Sequence, residues 1–120
     1  MNTENNFTED FKMAEYIMKI LSLRKITLMA WGFHSPKVIT DGLQFKVNGF
    51  LHQGLVQVIY QHGLDLFKIR LVINENELVK EITEVYFDEI TDVIDQNVEM
   101  VEDYKDRVKQ EYSILNLHSN

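Results

Sequence analysis

The chain has no cysteine and a single proline, Pro36, among its 120 residues. The first absence excludes disulfides, thiolate metal sites and cysteine nucleophiles, and it fits a reducing compartment. Glycine is sparse: five residues, each standing alone at a turn signal. No GxGxxG or Walker-type loop can therefore cradle a phosphate. No apolar run approaches about 18 residues, so no helix is predicted to span a membrane. Met1 to Asp10 is polar and acidic, which is not the pattern of a signal peptide, and a cytoplasmic protein is expected. Positive charge is also short. Twelve Lys and Arg face nineteen Asp and Glu, for a net charge of −7. A nucleic-acid binder usually carries a basic face, so this balance argues against nucleic acid, although Arg24, Lys25 and Lys37 lie close enough in sequence to form a local basic patch. The acidity permits a basic protein partner; its plainest consequence is solubility.

What the chain does have is core material. It is 45% hydrophobic, with seven Phe, five Tyr and one Trp. That suits a single domain over residues 1–120, which should bury roughly two-thirds of its unfolded surface. Residues 1–7 are expected to be disordered and 114–120 to fray.

Thr8 reads as a helix N-cap, with Glu9 and Asp10 at the positive end of the helix. Phe11, Ala14, Ile17, Met18 and Leu21 then recur at three- and four-residue steps, which predicts a helix over 9–23. Glu15 and Lys19 form an i, i+4 pair on its outer side. Ile26 to Phe33 is rich in β-branched and aromatic residues and predicts a strand. Pro36 restricts His34-Ser35-Pro36 to turn or extended geometry. After the turn signal Asp41-Gly42, Leu43, Phe45 and Val47 alternate with polar residues in a half-buried strand. Asn48-Gly49 suits a hairpin. The preferred alternative makes it a bulge in a longer strand that turns at His52-Gln53-Gly54. Val56, Val58 and Tyr60 share one face of the next strand. His62-Gly63 turns the chain, and Leu64 to Ile73 reads as another strand, with Asp65, Phe67, Ile69, Leu71 and Ile73 on the core face and Leu64, Leu66, Lys68 and Arg70 on the opposite face. Leu78 to Thr83 fits either a fourth strand or the start of a final helix.

That helix is predicted from about Glu84 to Ser113. Phe87, Ile94, Val101, Val108 and Leu115 fall seven apart, and Ile90, Val98, Tyr104 and Tyr112 widen the stripe. At 1.5 Å per residue it would reach about 45 Å, longer than a sheet of three or four strands requires. Its second half should therefore pack on the first helix or on another subunit. The predicted fold is α+β: an N-terminal helix, an antiparallel meander of three to four strands, and a long C-terminal helix.

Each candidate site has a plain competitor. Ten carboxylates lie between Glu84 and Glu111. Asp88, Asp92 and Asp95 step by four and three, which would place them on one helical face. A solvated face is the simplest account; a docking surface or a weak cation site are the others, and the segment has no glycine for a calcium loop. His34, His52, His62 and His118 have no zinc spacing. No nucleophile elbow occurs, and a metal-dependent hydrolase would need clustered acids or histidines that no spacing shows. The sequence thus predicts no catalytic residue, cofactor or metal ligand. Trp31-Gly32-Phe33-His34 could line a ligand groove or stack a base; alternatively Trp31 and Phe33 seal the core while Gly32 permits close approach.

Gly42, Leu43 and Phe45, then Asp65, Leu66 and Phe67, then Val85, Tyr86 and Asp88 follow an order that resembles small uncharacterised α+β proteins of Bacteroides-type bacteria and their phages. The resemblance covers about Leu21 to Asp95. It implies a short strand at Leu78 to Thr83, with the last helix starting near Glu84, and an origin in a phage or mobile element. It carries no activity. The functional expectation is a small non-enzymatic interaction or adaptor protein, possibly homodimeric. Its partner or self-association surface would be Val101, Tyr104, Val108, Tyr112 and Leu115. The alternative expectation is a small-ligand or single-stranded nucleic-acid face at Trp31, Tyr60, Lys68 and Arg70.

Overall fold

The structure is a computed structural model, and it describes residues 3–74 and 77–99. The chain begins with α1 (Thr3–Ser22) and α2 (Lys25–Ala30). Five strands follow: β1 (His34–Ile39), β2 (Gly42–Asn48), β3 (Gln53–Gln61), β4 (Leu66–Val72) and β5 (Leu78–Val85). A 3₁₀ turn, Phe87–Glu89, leads into α3 (Ile90–Val98). The strands form one antiparallel sheet in the order β1-β2-β3-β4-β5. The fold is α+β as expected, with five strands instead of three to four. Among the described residues no helix is long and apolar enough to cross a membrane.

All three helices pack on one face of the sheet. Ala14, Ile17 and Leu21 of α1, Leu28 of α2 with Trp31 just past its end, and Ile90, Ile94 and Val98 of α3 meet Leu43, Phe45, Val56, Val58, Phe67, Ile69 and Leu71. The alternation in β2, β3 and β4 falls on the faces expected from the sequence, except that Asp65 and Ile73, expected on the core face, lie outside β4 and are exposed. Each inward strand residue adds about 1.5–3 kcal/mol of burial, so a slip of one residue, which would turn all of them outward, is strongly disfavoured.

Five expectations are corrected. First, α1 starts at Thr3, so Thr8 lies inside it and does not cap it, and residues 3–7 are helical. Second, Ile26–Phe33 is not a strand. Thr27, Leu28 and Trp31 are buried while Met29 is exposed, which is a helical spacing that β alternation cannot supply. Packing on α1 and α3 overrides the β propensity of the segment. Third, the segment around Pro36 is itself the edge strand β1. A bulge at Ser35, where φ is +56°, shifts the register from His34↔Lys46 to Lys37↔Gln44. The edge position tolerates a residue without an N–H.

Fourth, Asn48-Gly49 is neither a hairpin turn nor a bulge. β2 ends at Asn48, opposite Gln53, and Gly54 lies inside β3 opposite Val47. The connecting loop docks on the end of α3: the Leu51 and His52 amides donate to the Val98 carbonyl at 2.7 and 3.3 Å. A Cβ on Gly49 would stand 2.4 Å from that carbonyl oxygen, so glycine is required for close approach.

Fifth, the last helix does not begin at Glu84. Leu78–Thr83 is strand, and β5 continues to Val85. Glu84 has φ +58°, in a bulge where the pairing steps from Ile69↔Ile82 to Phe67↔Val85. The extra residue lets Ile82 and Val85, three apart, both turn inward. Tyr86 then caps the 3₁₀ turn, its amide donating to Glu89 Oε1 at 3.1 Å, and the turn and α3 together span twelve residues. Phe87 consequently sits before α3 and is exposed, off the stripe to which its spacing assigned it. The part of the expected helix beyond Glu99 lies outside the described residues.

Candidate interaction surface

The acidic row of the sequence is divided by the fold. Asp92 is exposed and ion-paired with Arg24. Asp95 points inward and is only 1% exposed, accepting a hydrogen bond from Trp31 Nε1 at 2.8 Å. Asp88 stands on the 3₁₀ turn. The three therefore do not share a face: Asp88 lies on the turn before α3, and within α3 Asp95 takes the buried side while Asp92 takes the exposed one.

The four residues of the expected ligand face are likewise separated. Trp31 is fully buried and packs on Phe45 with ring centroids 6.3 Å apart; Phe33 meets the same ring at 4.6 Å. Both aromatics seal the core, and Gly32, at φ +66°, lets the chain pass beside Asn48. Tyr60 lies on the helix-covered face beside Phe67. Lys68 and Arg70 are on the opposite face, each 3.6 Å from Glu81. There a polar line, Lys37, Gln44, Gln57, Arg70 and Glu81, follows the register across all five strands. Gln57 donates to Gln44 at 3.0 Å, and Arg70 donates to Gln57 at 3.4 Å. With Glu81 and Gln57 against it, Arg70 is already engaged within the sheet.

The histidines are dispersed. His34 is exposed beside Ser35. His52, read at the turn His52-Gln53-Gly54, is buried, its Nε2 3.0 Å from the Leu55 carbonyl. His62 is exposed and 2.8 Å from Asp41. His118 lies outside the described residues. No group of three potential metal ligands occurs among the described residues.

One small polar cluster does form at the β1–β2 and β3–β4 turns. Asp41 takes a positive φ, and its amide donates to Asp10 of α1 at 2.8 Å. Its carboxylate faces His62. The hydrogen bond from the imidazole and the charge of Asp41 raise the His62 pKa above its ordinary value of 6.5, helped by Glu9 and Asp10. Beside it the Tyr60 hydroxyl donates to Asp65 at 2.9 Å, which raises the tyrosine pKa. The His62–Asp41 pair ties the two turns together, and the Tyr60–Asp65 bond spans the β3–β4 turn.

An open apolar groove lies between α1 and the edge strand β1. A groove of about 550 Å³ is floored by Ala14 and Leu43 and walled by Phe11, Met18, Leu23, Pro36 and Val38. Phe11, expected on the buried stripe of the first helix, instead forms a rim and is 49% exposed; Leu23 is 84% exposed. The rim also carries Glu15, Lys19 and Lys37. The expected Glu15–Lys19 pair is not among the ion pairs of the described residues. Sequence reasoning missed this groove because its outer wall belongs to β1, a strand that the reading of His34-Ser35-Pro36 as turn or extended did not identify. The expected partner surface, Val101, Tyr104, Val108, Tyr112 and Leu115, lies outside the described residues. In comparisons with protein-family models, curated proteins and solved structures, nothing matches this chain.

Proposed function

We propose that the chain is a cytoplasmic, non-enzymatic interaction or adaptor domain that works through its C-terminal segment, by self-association or by binding another protein. The observation that carries this reading is the open apolar groove between α1 and β1, in a chain whose sequence also carries an apolar repeat at helical spacing, Val101, Tyr104, Val108, Tyr112 and Leu115. Contiguous exposed apolar surface is a mark of association. The alternative, a ligand or single-stranded nucleic-acid face at Trp31, is not favoured: the indole is buried, and Lys68 and Arg70 lie on the other side of the sheet, where both face Glu81. The net charge of −7 weighs the same way.

Sedimentation of the full chain over a range of concentrations tests the reading, with parallel affinity capture by wild type and Val108→Asp baits. Association or a captured partner that is lost on the substitution supports it. A wild-type monomer at every concentration, recovering the same proteins as Val108→Asp, sinks it.

A further inference from the structure

We infer that a cavity on the sheet face opposite the helices binds a small phosphomonoester through Lys37 and Lys46. The site is separate from the apolar groove and from the C-terminal segment, so it goes beyond the interaction reading above.

The cavity holds about 650 Å³, a size that suits a small molecule. Its polar lining is His34, Ser35 and Lys37 of β1, Gln44 and Lys46 of β2, and Asn74 just past β4. Strand register explains why they converge. Phe45 and Val47 are buried under the helices, so alternation turns Gln44 and Lys46 to the other face. Lys37 pairs with Gln44 and His34 with Lys46, which brings both β1 residues to that face as well. Residues 34 and 37 are an odd number apart and would point opposite ways in a regular strand; the bulge at Ser35 reconciles them.

Every one of these polar side chains can donate a hydrogen bond, and among the described residues no carboxylate lines the cavity. Lys37 and Lys46 are exposed, and neither is ion-paired among the described residues. They stand on a diagonal across β1 and β2, where such neighbours are about 7–8 Å apart. Two flexible ammonium groups at that separation can meet on one phosphoryl group. The row that begins at Lys37 ends at Glu81, four strand spacings or about 19 Å away. That is more than twice the Debye length of about 8 Å, and Glu81 already faces Lys68 and Arg70. Of the glutamates on the β4–β5 turn, Glu77 does not line the cavity and Glu75 lies outside the described residues.

The lining selects the ligand. A phosphomonoester carries nearly two negative charges at neutral pH and three oxygens that accept, which matches two lysines and a set of donors; a carboxylate brings one charge. The Ser35 hydroxyl lies 2.9 Å from His34 Nδ1, leaving Nε2 as the ring nitrogen for a ligand oxygen. The organic part of the ligand has Leu55 and Ile73 to rest on.

The test is a titration of the full chain with AMP, followed by amide NMR in phosphate-free buffer at constant ionic strength. Saturable shifts are expected at residues 34–37, 44–46, 54–55 and 73–74, and adenosine should produce none of them. Lys37→Gln and Lys46→Gln should each raise the dissociation constant about tenfold or more, with circular dichroism verifying that the variants are folded. Lys25→Gln removes the same charge from α2, on the other side of the sheet, and should leave affinity unchanged. Shifts scattered over the surface, equal binding of adenosine, or equal weakening by Lys25→Gln would each overturn the site. A single-stranded oligothymidylate that shifts the same amides at lower concentration than AMP would overturn the small-molecule assignment in favour of a nucleic-acid backbone. None of these outcomes touches the association measured by sedimentation, so the two readings fail separately.

Discussion

Trp31 and Asp95 offer a sharp test of how the helical layer is held. The indole N–H donates to a carboxylate that is 1% exposed, and the two residues are 64 apart in sequence. Replacing Trp31 with Phe keeps an aromatic ring against Phe45 but removes the donor. The buried carboxylate then loses a charge-assisted hydrogen bond, at a cost of about 1.5–3 kcal/mol. The smaller ring adds a packing loss of about 1 kcal/mol. A double-mutant cycle separates the two effects. In an Asp95→Ala background, Trp31→Phe should cost only the packing part, so the coupling energy should be about 1.5–3 kcal/mol. Urea denaturation followed by far-ultraviolet circular dichroism measures it; with a slope near 1–3 kcal/mol/M, the single substitution should move the midpoint by about 1 M or more. A coupling energy within about 0.5 kcal/mol of zero would refute the claim that this bond pins α2 to α3.

Gly49→Ala should destabilise the fold by about 1–3 kcal/mol, because its Cβ would meet the Val98 carbonyl 2.4 Å away and push α3 off the loop; an unchanged urea midpoint would contradict the packing described. Glu84→Gly should raise stability by about 0.5–1 kcal/mol, since glycine relieves the left-handed bulge at φ +58°; thermal melting of the two proteins decides it. His62 has a raised folded-state pKa, owed first to its hydrogen bond with Asp41. Its contribution is therefore fully present below pH 6.5 and is lost as pH rises through the folded value. His62→Gln should thus lower stability near pH ~5.5 and leave it almost unchanged near pH ~9; equal effects at both would rule out the charged pair.

The candidate surface was only partly legible in the sequence. The periodic pattern Val101 to Leu115 lies outside the described residues, and the groove is made by two segments, 11–23 and 36–43, that touch only after folding. The acidic row failed for a related reason. A bulge at Glu84 and a 3₁₀ turn at Phe87–Glu89 place Asp88 before α3, and within α3 packing against the core takes Asp95 and leaves Asp92 exposed.

Two kinds of information separate here. Alternation in Leu43–Val47, Val56–Tyr60 and Phe67–Leu71, and the three- and four-residue steps of Ala14, Ile17 and Leu21, are local, and by themselves they settled which faces are buried and that the fold is α+β. Tertiary contacts decided what local preference leaves open. Residues 26–33 are β-prone, yet Lys25–Ala30 is helical because Thr27, Leu28 and Trp31 can be buried together only at helical spacing. Asp95 looks solvated in sequence, but Trp31, 64 residues away, supplies the donor that makes its burial tolerable. A residue's pattern records which side of its element it occupies; what that side meets is determined only when the other elements arrive.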